Sequence, residues 1–178
     1  MKKRMSSYEI ALSAIACAAA TLVLTLGAMY PPMRFTGYLF GCLAIMLPLA
    51  CGYNLGALLC FLGASLLALI FSGFRFMDLI PFGIFFGLHP IVNALQKKFK
   101  LNKYLSYACK AVWFDVSAYL TWRLVFSMNT AIPLLDKYIV PIIIVFGSLF
   151  FIAYDVLIFR TQEAVDGAVQ KYIGNKRK

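Results

Sequence analysis

Long apolar runs, broken only by short polar or turn-forming stretches, dominate this chain. A membrane-spanning α-helix needs roughly 20 mostly apolar residues, and windows of that kind fall at 8–28, 35–51, 55–71, 77–95, 106–127 and 138–158. The pattern predicts an all-α integral membrane protein, a compact bundle of six transmembrane helices. Residues 1–159 would form that domain and residues 160–178 a basic cytoplasmic tail. The first connection, GAMYPPMRFTG, has two prolines and flanking glycines and is turn-prone. The second and third windows are joined by little more than CGYN, which demands an antiparallel hairpin. SGFRFMD leads into the fourth window, where Pro81 and Pro90 each remove one backbone hydrogen bond and can bend the helix. The stretch MNTAIPLLDK joins the last two. The tail RTQEAVDGAVQKYIGNKRK carries Ala164, Val165, Ala168, Val169 and Tyr172 at partly helical spacing and is expected to lie along the inner membrane surface.

Charge gives this bundle a direction. Of 178 residues 62% are hydrophobic and only 13% charged, so these residues leave no room for a soluble domain of any size. With the N-terminus in the cytoplasm, the inner segments hold Lys2, Lys3, Arg4, Lys97, Lys98, Lys100, Lys103, Lys110, Arg160, Lys171, Lys176, Arg177 and Lys178. Arg34, Arg75, Arg123 and Lys137 fall on the outer side or in the outer half of a helix. This is the positive-inside distribution, and it puts both termini in the cytoplasm. It also accounts for the net charge of +10 without a nucleic-acid partner. The first apolar run is read as a retained helix, not a cleaved signal peptide, because its small residues lie near its start.

Small residues are the next feature. The stretch ALSAIACAAA, residues 11–20, uses methyl groups where lipid solvation alone would favour Leu and Ile. Close contact with another helix is the physical reason for such a choice. Gly37 and Gly41, Gly52 and Gly56, and Gly83 and Gly87 are each four apart, and the preferred reading is that they compact this one bundle. The five cysteines, Cys17, Cys42, Cys51, Cys60 and Cys109, form no CxxC and none lies in an outer loop, so they are read as small packing residues.

An ionisable side chain at mid-bilayer costs about 3 kcal/mol or more, and each one is a functional hypothesis by default. In the fifth window Asp115, Tyr119, Trp122, Phe126 and Asn129 share one helical face, with Arg123 beside it. Tyr30, Arg34, Arg75, Asp78, Phe82, Trp122, Arg123, Phe126 and Asn129 are the candidate substrate-binding residues on the outer side, suited to a small planar or anionic organic solute. The competing reading is that Asp78 and Asp115 only neutralise nearby Arg or Lys; for Asp115, beside Lys110, it is preferred. His89, next to Pro90, has no His or Cys cluster with which to build a metal site, so a hydrogen bond to a carbonyl freed by the proline is expected. Asp155 is expected at the membrane interface. No phosphate-binding loop, HExxH or nucleophile–histidine arrangement is present, so no enzyme activity and no cofactor are expected.

These features, with the Gly-containing hairpin PLACGYNLGALL, make the chain resemble the substrate-binding S components of energy-coupling factor (ECF) transporters. The resemblance covers nearly the whole chain and rests on architecture more than on a sharp motif. It implies a multi-pass protein of the bacterial cell membrane that captures a vitamin-like organic solute from outside. The solute would be enclosed by helices 4 to 6, with YPPMRF as a lid. Besides solute and lipid bilayer it also implies a transmembrane coupling subunit, met through an Ala-x-x-x-Ala patch, and two ABC ATPases that drive it. Ala14 and Ala18 fit that spacing, and Ala16 and Ala20 fit it equally. A different class, a small membrane scaffold resembling the rod-shape-determining proteins, has similar length and hydropathy and would need no solute cavity.

Overall fold

A computed structural model describes residues 7–100, 102–126, 138 and 140–175. Among them every regular element is helical. Helix α1 spans Ser7–Met29, a 3₁₀ turn follows at Pro31–Met33, α2 spans Arg34–Ala50 and α3 Asn54–Phe71. The fourth predicted helix is a broken one. It consists of α4, Phe76–Pro81, then a π-turn at Phe82–Phe86, then α5, His89–Phe99. Helix α6 covers Lys103–Thr121 and runs into a second π-turn, Trp122–Phe126. A third π-turn, Ile143–Gly147, leads into α7, Ser148–Asn175.

Among the described residues five helical runs are long and apolar enough to cross a membrane: Ser7–Met29, Pro31–Ala50, Asn54–Phe71, Phe76–Phe99 and Val140–Val169. The fifth predicted window, around α6, is formed as a helix, but Lys103, Lys110, Asp115 and Arg123 make it more polar than the others. Residues 160–175 differ from expectation. They continue α7 without a break, and Gln162 is buried with its Nε2 3.4 Å from the Pro90 carbonyl oxygen. Side-chain packing against α5 thus draws the start of the tail into the bundle.

Turn chemistry explains the connections. Gly52 and Gly73 hold φ of +78° and +72°, a left-handed backbone that the absent side chain permits at the α2–α3 and α3–α4 corners. Lys100 takes the same region as the C-cap of α5, and Asn102 caps α6 by accepting from Tyr104 N at 3.0 Å.

Small residues build the tightest contact. On α1, Ala16, Ala20, Leu24 and Ala28 are buried against α2 and α3, which contribute Cys42, Ile45, Ala57, Cys60 and Ala64. A Cβ on Gly37 would stand 2.8 Å from the Val23 carbonyl oxygen and 3.2 Å from Gly27 Cα, and one on Gly56 would collide with Ser13 Oγ. These glycines therefore compact the bundle itself. Large side chains such as Ile15, Leu22, Leu66 and Phe71 are exposed on its outside, the reverse of a water-soluble helical protein.

Candidate functional site

The break in the fourth helix sets up the site. Pro90 has no N–H, which leaves the carbonyl four residues earlier, that of Phe86, without its helical donor. Cys42 Sγ supplies the replacement from α2 at 2.9 Å. At the other end of the π-turn the Phe82 N–H bonds Leu79 O, and the Asp78 carbonyl instead accepts from the Tyr38 hydroxyl. Two α2 side chains thus satisfy the backbone that the irregular turn releases. The turn also carries Phe85 and Phe86 into the bundle. Phe85 meets the rings of Phe86, Trp113, Phe114 and Tyr154 at centroid distances of 5.0–5.6 Å, and Phe86 stacks on Tyr38 at 5.3 Å.

Beside this aromatic cluster lies a cavity of about 320 Å³. All three π-turns line it, through Phe85 and Phe86, Trp122, and Ile143; α2, α4, α6 and α7 add Phe35, Pro81, Phe114 and Phe150 among others. Ser117 and Thr121 bring hydroxyls, although Thr121 Oγ1 already donates to Ser117 O at 2.8 Å. Single π-turns inside helices occur often at functional sites, because the extra residue re-aims side chains and frees backbone groups. Chemically this is a hydrophobic, aromatic-walled space for a compact organic group with few polar atoms.

The predicted site residues divide around it. Trp122 lines the cavity. Phe82 does not: it is fully buried in the core, wedged between Tyr38, Phe61 and the backbones of Gly41 and Gly87. Arg34 and Asp78 come together in an ion pair at 2.8 Å, one residue before Phe35 and three before Pro81 of the wall. Arg34 therefore neutralises a neighbour. Arg75 is exposed, with Nη1 3.5 Å from Ala28 O; Tyr30 and Arg123 are also exposed. Asn129 lies outside the described residues, as does the side chain of Phe126.

The charged centre of the molecule is elsewhere, at residues that spacing along the chain does not link. Lys110 Nζ lies 2.6 Å from Asp155 Oδ1 and 3.1 Å from Asn93 Oδ1, and all three residues are buried. His89 Nε2 is 3.0 Å from the same carboxylate oxygen, close enough for attraction but off the line of a good hydrogen bond. Three expectations change here. Asp155, expected at the membrane interface, is buried and paired between helices; Lys110 pairs with it and not with Asp115; and Cys42, not His89, bonds the carbonyl freed by proline. Asp115 Oδ1 instead abuts the Gly147 backbone region and has no hydrogen-bond partner among the described residues. The signal available beforehand was that Lys110, His89 and Asp155 are each costly in a membrane alone, which favours a shared solution. Among the described residues no group of His, Cys, Asp and Glu could hold a metal ion.

On α1 the two alanine registers separate. Ala16 and Ala20 are fully buried within the bundle, whereas Ala14 and Ala18 are on its outside. Comparison with protein-family models, curated proteins and solved structures finds no match to this chain.

Proposed function

We propose that this protein is a solute-binding membrane subunit of an importer of the ECF type, with six helices in the membrane and both termini in the cytoplasm. The cavity lined by all three π-turns carries this reading. The resemblance implies a solute enclosed by helices 4 to 6 with YPPMRF as a lid; walls from α4, α6 and α7 together with Phe35 of that segment support this reading. The aromatic walls favour a planar, largely apolar organic molecule over a charged one. The outward Ala14 and Ala18 support the second half of the reading, a smooth strip on which helices of a coupling subunit with two ATPases can settle.

Purification of the tagged protein from its native membrane in mild detergent tests both halves. Untargeted mass spectrometry of extracted small molecules is expected to find one retained organic solute, absent from Ala118→Trp, in which an indole fills the cavity. Proteomics of the same sample is expected to find the coupling subunit and ATPases, lost from the variant carrying Ala14→Trp and Ala18→Trp while its solute remains. Recovery of wall-synthesis proteins with no solute would instead favour the scaffold class.

A further inference from the structure

At the opposite end of the bundle, between α5, α6 and α7, there is a second cavity of about 510 Å³. The Lys110–Asp155 pair contributes to its lining, as do the apolar surfaces of Tyr107, Val156 and Phe159. Lys97, Lys100 and Arg160 also line it, with Glu163 as the second carboxylate. Lys110 is committed to Asp155, and Lys97 to Asp166 at 3.5 Å and the Phe159 ring at 4.6 Å. Lys100 and Arg160 make no ion pair among the described residues. Gln96 lines the cavity too, and its Oε1 is buried without a hydrogen-bond partner.

Two uncommitted cations beside an apolar wall match an anionic amphiphile. A free phosphate would leave the wall bare, and a neutral lipid would leave the cations unanswered. The cavity also sits where the basic segments meet the apolar spans, the depth of lipid headgroups, and basic pockets between membrane helices are built for such headgroups. We infer that this cavity holds an anionic phospholipid with a hydroxylated headgroup, of the phosphatidylglycerol type. The phosphate meets Lys100 and Arg160, a glycerol hydroxyl donates to Gln96 Oε1, and the start of an acyl chain covers Val156 and Phe159. This is independent of what the other cavity binds.

The test is native mass spectrometry of the purified full chain in mild detergent, titrated with phosphatidylglycerol, phosphatidylcholine or glycerol 3-phosphate. One phosphatidylglycerol is expected to stay bound where phosphatidylcholine does not, and glycerol 3-phosphate is expected not to displace it. Lys100→Gln with Arg160→Gln should weaken retention about ten- to thirty-fold, from the usual worth of two cations near a headgroup. Lys98→Gln with Lys171→Gln removes the same charge from exposed positions outside the cavity and should change nothing. Equal loss in the two double variants would mean diffuse attraction and overturn the site. Equal retention of phosphatidylcholine would overturn the anionic assignment, and displacement by glycerol 3-phosphate would make it a site for soluble phosphates instead.

Discussion

Asp155→Ala is expected to destabilise the protein by roughly 3–5 kcal/mol, the usual cost of removing one partner from a buried ion pair. Lys110 is only 4% exposed, and with the carboxylate gone its ammonium keeps Asn93 Oδ1 as its hydrogen-bond acceptor among the described residues. His89, fully buried, would lose its 3.0 Å contact with the carboxylate in the same step. The double variant Lys110→Met with Asp155→Leu removes both charges and fills similar volume, so it should recover most of that loss. Thermal unfolding in mild detergent, followed by loss of helical circular dichroism, measures both. Asp155→Ala melting with the parent protein, or a double variant no better than the single, would show that the network does not hold the bundle together.

Gly37→Val should cost about 1–3 kcal/mol, or more, through the α1–α2 contact. The new Cβ would face the Val23 carbonyl oxygen and Gly27 Cα, which are backbone atoms and cannot rotate away, so the helices must separate along the seam. Gly83→Ala is the matched control. Gly83 belongs to the same kind of four-residue glycine spacing, but nothing lies within 4 Å of its added Cβ. Alanine there should leave stability unchanged or raise it slightly, since alanine favours helix over glycine. The same unfolding assay separates the two, and equal effects at both positions would show that close backbone approach is not what Gly37 provides.

That contrast marks where sequence reading stops. Gly37 and Gly83 look alike as spacings, and Ala14/Ala18 look like Ala16/Ala20, yet in each case one packs differently from the other. In a water-soluble helix the polar side would reveal the phase. Here the outside of the bundle carries Ile15, Leu22 and Leu66, so both sides of a helix are apolar and periodicity cannot tell them apart. The cavity is legible only in part: Trp122 of the candidate residues lies in its wall, but the wall also needs Phe35, Phe86, Ile143 and Phe150 from distant parts of the chain.

What the sequence determined by itself was local. Apolar runs of spanning length, glycine corners and prolines in the fourth window specify helices, turns and a break, because each depends on neighbours a few residues away. Tertiary structure decided the rest. The Cys42 thiol finds the Phe86 carbonyl across 44 positions, and Lys110 finds Asp155 across 45. Such pairings form because a buried polar group surrounded by apolar side chains must be satisfied by whatever the packed helices bring within reach, and one-dimensional spacing does not contain that geometry.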